Sequence, residues 1–384
     1  MSSKPQFVGE RVRLGELLLD TFSGEWGTGE GESLTPVLRT SNFNEDGSLD
    51  YSTPAMRCIP ERKVAKKRMV RGDIILEKSG GTPKRPVGIM AFYDSDELAL
   101  CSNFNQVLRF DEDRILPRFA FHQLRWLKDR KAFDRFIRKT TGLQNLQMKK
   151  LIELKLHVPQ IEAQTMIADT LDKIVDNQRT LQREIIDLDS LAKSWFVEMF
   201  LNSSWPVATI GECATDIHYG TSEKASTEGE HVYLRMNNIG DDGSLDLSDT
   251  KRITLEGKAL SNCLVRKGDL LFNRTNSREK VGKTCVFCLE EPMVVAGYII
   301  RVRLDDRVDS TYLAAYMNLS STKALLRGMA KGAVHQANIN ARQLASIEFP
   351  LADIEAQKEF VAFVRQVDKS RFAGPADNQD SPQI

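Results

Sequence analysis

Between Glu162 and Phe200 the apolar residues fall on one helical stripe. Ile167, Leu171, Ile174, Leu181, Ile185, Leu188, Ala192, Trp195 and Met199 follow at steps of 4, 3, 7, 4, 3, 4, 3 and 4, with polar Gln178 inside the long step. A helix that buries one narrow seam against another helix shows this alternation. The stretch has no Pro or Gly, and Pro159 and Pro206 flank it where helix punctuation belongs. At 1.5 Å per residue its 39 residues make a rod of roughly 58 Å. A rod of this length in mid-chain predicts a spacer between two globular segments. The alternative is a core helix of one large domain.

On either side the period changes. Turn residues crowd Gly24, Gly27, Gly29 and Gly31, then Asp46-Gly47, Gly72-Asp73 and Gly80-Gly81. Between them lie β-type runs at Asp73–Leu76, Gly88–Phe92 and Val107–Phe110, and in the second half at Asp269–Phe272, Val286–Leu289 and Tyr298–Leu304. These predict compact, mainly β globules. Helical spacing follows over Pro117–Arg138 and Ser310–Lys331, and a β-like stretch leads through Pro159 or Pro350 into a long helix.

The two halves are copies. VLRTSNFNEDGSLD, ending at Asp50, matches VYLRMNNIGDDGSLD, ending at Asp246, so that Arg39 falls on Arg235 and Asn42 on Asn238 at an offset of 196. RGDIIL at Arg71–Leu76 falls on KGDLLF at Lys267–Phe272 at the same offset. Further on, Phe119 pairs with Tyr312, Asn145 with Asn338, and IEAQ at Ile161–Gln164 with an identical IEAQ at Ile354–Gln357, now at 193. Chance does not hold one offset over some sixty residues and a second over forty more, and the period is far too long for a solenoid. Two related domains in one chain predict a pseudo-two-fold arrangement.

The second helix is shorter. Phe360, Val364 and Val367 register with Ile167, Leu171 and Ile174, but the pattern ends after Arg371 and a polar tail follows, expected to be disordered. If the two helices pack antiparallel, the seam around Leu188, Trp195 and Met199 lacks a partner within the chain, and exposed Trp195 and Phe196 predict an interaction surface.

Composition changes the picture only through its distribution. The 384 residues favour two domains. Net charge is zero, yet Arg57–Arg71 holds seven basic residues to one acidic, Arg118–Lys139 eight to two and Arg266–Lys283 six to two, while the rod carries eight acidic and four basic. Basic lobes on an acidic spacer fit this pattern, and so do ordinary solvated faces. Six cysteines include one close pair, CVFC at Cys285–Cys288, with no second pair at zinc-ligand spacing, so it reads as reduced thiols on a strand. No signal peptide and no apolar run near the ~20 residues of a membrane span are present, which predicts a cytoplasmic protein without membrane attachment.

Catalytic signatures are missing. The Asn/Asp-Pro-Pro-aromatic loop of amino-methylating enzymes has no counterpart, because no two prolines are adjacent. GKT at Gly282–Thr284 lacks the P-loop glycine, whose place Ser277 takes. The five histidines form no metal-ligand pair, and no GxSxG occurs. The expectation is no active site, no metal and no cofactor.

Polar and basic loops remain. FNRTNSREKVGKT carries Asn273, Arg274, Thr275, Asn276, Arg278, Lys280 and Lys283 just after a strand. Its counterpart LEKSGGTPKRPVG carries Lys78, Ser79, Lys84 and Arg85. Arg39 and Asn42 stand against Arg235, Asn237 and Asn238, and before each long helix lie Thr140, Gln144 and Asn145 against Gln336 and Asn338. Arg and Lys suit guanine edges and phosphates, and Asn suits adenine. Any one of them also suits an ordinary turn. As a set they predict contact with double-stranded DNA.

With these residues in view, the chain resembles the specificity subunits of type I restriction–modification systems. The likeness rests on RMNNI…DGSLD…KGDLLFNRTNSREKVGKT in the second copy, on the (V/F)P…IEAQ approach to each long helix, and on the layout of domain, helix, domain, helix over residues 10–371. It implies an α+β fold of two tandem, mainly β target-recognition domains with small helices. The long α-helices between and after them would pack as an antiparallel coiled coil with pseudo-two-fold symmetry. The corresponding division is a first target-recognition domain at 1–158, a central helix at 159–203, a second such domain at 204–350, a distal helix at 351–372 and a tail at 373–384. The helix seam would comprise Leu171, Ile174, Leu181, Ile185, Leu188 and Trp195 with Phe360, Val364 and Val367. The resemblance further implies a non-catalytic subunit that recruits two methyltransferase subunits and motor-nuclease (restriction) subunits. The shortened distal helix departs from the family pattern. A coiled-coil scaffold that does not read DNA, and a nuclease of unfamiliar motif, are the alternative readings.

Overall fold

The computed structural model describes residues 9–82, 85–140, 143–333 and 336–372. The chain divides into two compact units, Met1–Leu181 and Gln182–Ile384, with the division inside one long helix, Ile161–Phe196. That helix ends in a π-helical turn, Val197–Leu201.

In the first unit a four-stranded antiparallel sheet runs in the order Leu18–Ser23, Asn105–Phe110, Ile74–Glu77, Met90–Phe92. Ile74, Leu76, Leu108 and Phe110 point to one side and bury against Phe119, Ala120 and Leu124 of the helix Pro117–Asp129. Ile75, Ala91 and Val107 point to the other side, toward Leu38 and Tyr93. Both faces of the sheet are covered at its centre, which is why Ile74–Glu77 reads as an apolar run rather than an alternation, whereas the edge strand Leu18–Ser23 stays largely exposed. The carboxylate of Asp73, fully buried at the strand start, is held by Arg109 at 2.7 Å. The helix that starts at Pro117 stops earlier than its apolar spacing predicts. Lys131 takes a left-handed φ of 60°, a helix-ending conformation, and the chain continues as a 3-10 turn and the strand Ile137–Thr140.

The second unit repeats this plan. Its sheet runs Ala214–Tyr219, Ile299–Leu304, Leu270–Asn273, Thr284–Val286. Asp269 is held by Arg303 at 3.0 Å, as Asp73 is by Arg109. The apolar stretch Ser310–Lys331 is two helices, Ser310–Met317 and Ser320–Met329. Asn318 and Leu319 separate them, and the Asn318 side-chain amide donates to the Thr284 carbonyl at 2.9 Å.

The motifs that revealed the repeat are architectural. In each copy a glycine at φ +84° (Gly47, Gly243) turns the chain, and the Asp before it accepts from the Ser after it. Only glycine adopts that φ without strain. The IEAQ glutamines are buried and tie the long helix to the body of their unit. Gln164 accepts from the Leu116 amide at 2.8 Å and donates to the Pro159 carbonyl at 2.8 Å. Gln357 accepts from the Asp309 amide at 2.9 Å and donates to the carbonyls of Ala352 and Arg307 at 2.8 and 2.9 Å.

The long helix docks on the first unit through its amino-terminal half. Asp172 takes Arg118 at 2.8 Å and His122 at 2.6 Å, and Arg179 pairs with Asp46 of the DGS turn. Burial pushes the His122 imidazole down despite that contact. Burial opposes the charge of Asp46 and Asp172, yet hydrogen bonds from Arg179 and Ser48, and from Arg118 and His122, hold both carboxyls below the usual range.

At the other end of the helix the sequence expectation is corrected. Phe196 is fully buried, and Trp195 and Met199 pack on the second unit's core. Phe196 stacks on Tyr312 at 5.1 Å, while Trp195 meets Phe360 and Phe363 of the distal helix Ile354–Phe372. The register counted turns of one helix, whereas these side chains are covered by an aromatic cluster from three elements. The uncovered part of the seam lies earlier. Ile174 and Leu181 are each about half exposed, while Leu171, Ile185 and Leu188 are intermediate; Leu191, off the stripe, is also about half exposed. In the distal helix Phe360 and Val367 are buried and Val364 is half-buried. The tail at 373–384 lies outside the described residues.

Candidate nucleic-acid interface

In each unit the loop after the central strand joins a hairpin from some sixty residues away. In the first unit Ser79–Gly81 pairs with Leu143–Leu146, which pairs with Ile137–Thr140. In the second, Thr275–Asn276 pairs with Gln336–Asn338, which pairs with Lys331–Ala333. Two loop sets that the sequence offered separately therefore form one small three-stranded sheet per unit.

The side chains on these sheets differ. Ser79 donates to Asn145 Oδ1 at 2.5 Å. Lys78 Nζ donates to Ser23 Oγ at 2.5 Å and to Gln106 Oε1 at 3.2 Å, and burial pushes this ammonium down. In the second unit Arg274 Nη2 donates to Asn338 Oδ1 at 3.0 Å, and Asn338 Nδ2 donates to Thr275 Oγ1 at 2.8 Å. The Arg274 guanidinium lies 4.7 Å over the ring of Tyr219, which occupies the place of Ser23. The same positions thus hold Lys, Ser, Ser and Asn in one copy and Arg, Tyr, Thr and Asn in the other.

Arg278 and Lys280 are exposed in the second loop, Lys280 3.6 Å from Asp241, and Asn276 is half-buried within it. Lys283 is mostly covered and bound to Asp241 at 2.8 Å and to the Ile239 carbonyl. Lys323, which the sequence did not single out, donates to the Gly282 carbonyl at 2.6 Å, and burial lowers its ammonium to about 8. It sits in a helix with no basic run around it, so only the fold brings it to this loop. Arg85 is exposed, 4.0 Å from buried Glu77.

Several expected contact residues face inward instead. Asn42 and Asn238 are 1% exposed. Each caps a 3-10 turn by accepting from the amide of Arg39 or Arg235, at 2.9 and 2.7 Å, and donates to the carbonyl that ends DGSLD (Asp50 or Asp246) and to the one three residues on (Thr53 or Asp249). Their amides are committed to the fold, which explains why both copies keep them. Arg39 and Arg235 are half-buried and donate to the carbonyls of Thr53 and Asp249. Gln144, Asn273 and Thr275 are buried, and Asn237 is exposed beside Asp249. Lys84 lies outside the described residues, and Thr140 and Gln336 are described only as backbone in their strands.

Among the described residues no group of three or more His, Cys, Asp or Glu is placed to hold a metal, and no helix is long and apolar enough to cross a membrane. Cys285 lies on its strand and burial pushes its thiol up to about 12, while Cys288 lies beyond the strand and is exposed.

The family model of the type I restriction modification DNA specificity domain matches twice, over residues 35–188 and 205–373. The chain belongs to that family. A type I restriction enzyme MjaX specificity subunit of Methanocaldococcus jannaschii is 23% identical over 359 residues, covering 87% of this chain and 80% of the relative. The crystal structure of the type I restriction–modification S subunit from M. genitalium aligns over 97% of this chain and 92% of its own, with a TM-score of 0.56 and 16% identity. A chain from a structural study of complex assembly and conformational transition in the type I R-M system aligns over 95% and 92%, with a TM-score of 0.51 and 19% identity. The specificity subunit fold is thus shared along nearly the whole chain.

Proposed function

We propose that this specificity subunit reads an asymmetric, bipartite double-stranded DNA site, one half with each unit, and has no active site of its own. The carrying observation is the pair of small sheets, built alike but carrying Ser79 in one unit and Thr275 in the other, each beside a different polar pair, Lys78 with Ser23 and Arg274 with Tyr219. A common frame with exchanged polar side chains suits two readers of different sequences, since base edges are distinguished by donor and acceptor pattern. Arg278, Lys280 and Arg85 would neutralise phosphates. The continuous 36-residue helix between the units would set a fixed, unread spacer. Partners would be two methyltransferase subunits and the motor-nuclease subunits, with the half-exposed Ile174, Leu181 and Leu191 as apolar contacts for a protein. The protein would work in the cytoplasm, where the host DNA lies.

Methylation mapping of the host genome with and without this gene tests the reading. One bipartite motif with unequal halves should lose its methylation when the gene is removed. An unchanged methylation map, or loss of a contiguous palindrome, would overturn it.

A further inference from the structure

Phe104 and Tyr298 are exposed aromatic residues at equivalent places in the two units. Each is the third residue of a four-residue turn that begins the strand beside the central one. The turns are closed by the Asn105 amide on the Ser102 carbonyl at 2.9 Å, and by the Ile299 amide on the Ala296 carbonyl at 2.8 Å. In both, the aromatic residue's carbonyl accepts from the backbone amide of the loop's basic residue, Lys78 or Arg274, at 2.9 Å. The backbone therefore fixes each aromatic residue against the start of its polar loop, while the side chain of the loop's basic residue goes to Ser23 and Gln106 in the first unit and to Asn338 and Tyr219 in the second. Phe104 is 50% and Tyr298 51% exposed. A half-exposed ring adds little to folding, because the surface that would stabilise the unit is left in water.

From this placement we infer that Phe104 and Tyr298 each contact a base of their own half-site with the ring, and so are specificity-determining residues. The inference rests on the DNA-reading function proposed above. An exposed ring at the edge of a polar loop offers a paired base an apolar face for its groove edge, such as the thymine methyl, which the hydrogen-bonding side chains of the loop cannot supply. Tyr298 would also present to its half-site a hydroxyl that Phe104 lacks.

The test uses the full chain assembled with its methyltransferase subunits and a duplex carrying the mapped site, read by fluorescence anisotropy. Phe104→Ala and Tyr298→Ala should each weaken binding about tenfold or more, the usual cost of losing one base contact in a duplex site. Each should also reduce the penalty for base changes in one half-site only. Phe104→Tyr and Tyr298→Phe should retain most of the affinity. Should an alanine variant fail to fold, Phe104→Leu and Tyr298→Leu keep apolar bulk without a ring face and should show the same loss. Leucine variants that bind like the parent would overturn the inference, as would alanine variants within about twofold of it. Loss of methyltransferase assembly with unchanged DNA binding by the assembled fraction would overturn it too, assigning the rings to a protein partner. If the parent complex shows no sequence preference at all, the DNA-reading function itself fails, whatever the variants do.

Discussion

At the level of single residues, one amide side chain per unit holds the long helix to the body. Gln164 and Gln357 each satisfy a backbone N–H and carbonyl groups that would otherwise be buried without partners. Replacing either with Ala should destabilise its unit by about 1–3 kcal/mol, measured by urea unfolding, because the groups left behind bear the full desolvation penalty. Arg274 has the opposite character. It is half-buried, linked to Asn338 and Tyr219, and its Nε has no partner. Arg274→Ala should cost on the order of 1–3 kcal/mol in DNA binding and relax one half-site. Equal weakening on all sequences would make it a phosphate contact. Thiol chemistry offers a check on the packing. Cys101 and Cys285 are buried with thiols pushed up to about 12, so an alkylating reagent should label Cys288 first in the native protein.

At the level of elements, the ion pairs between the long helix and the first unit predict an acid response. Asp46 and Asp172 have folded-state pKa values below the ordinary 3.8. A depressed carboxyl contributes stability that is complete above its unfolded value and is lost as pH falls through the folded one. Unfolding midpoints followed below pH 4 should therefore drop, and Asp172→Asn should lower stability at neutral pH while flattening that slope. His122 adds little near neutrality, since burial keeps it mostly uncharged. The small sheets are a second element-scale result. Their strands are two to four residues long, too short for a periodic signal, and form only because the loop meets a hairpin about sixty residues away.

For the whole molecule, the long helix and the repeat set the expectation. Seven residues inserted in register between Gln182 and Leu188 preserve the apolar stripe and add about 10 Å of helix. The spacer of the recognised site should then lengthen by about three base pairs, read by methylation mapping. An unchanged spacer would show that the helix does not measure it.

Much of this was legible along the chain. The 3–4 alternation predicted the long helix, because a narrow buried stripe imposes its period on the sequence. The constant offsets revealed the repeat, because turns such as Asp46-Gly47-Ser48 admit few residues at a positive φ. Fold class followed from these local constraints. Which polar residues face outward was decided only in three dimensions. Asn42 and Asn238 were the most conspicuous matches between the copies and proved to be internal caps. Phe104, Tyr298 and Lys323 carried no signal, because their neighbours are distant in sequence. Trp195 and Phe196 likewise read as exposed until Phe360 and Tyr312 covered them. Local backbone demands are written in short motifs, whereas burial belongs to whatever the folded chain brings alongside.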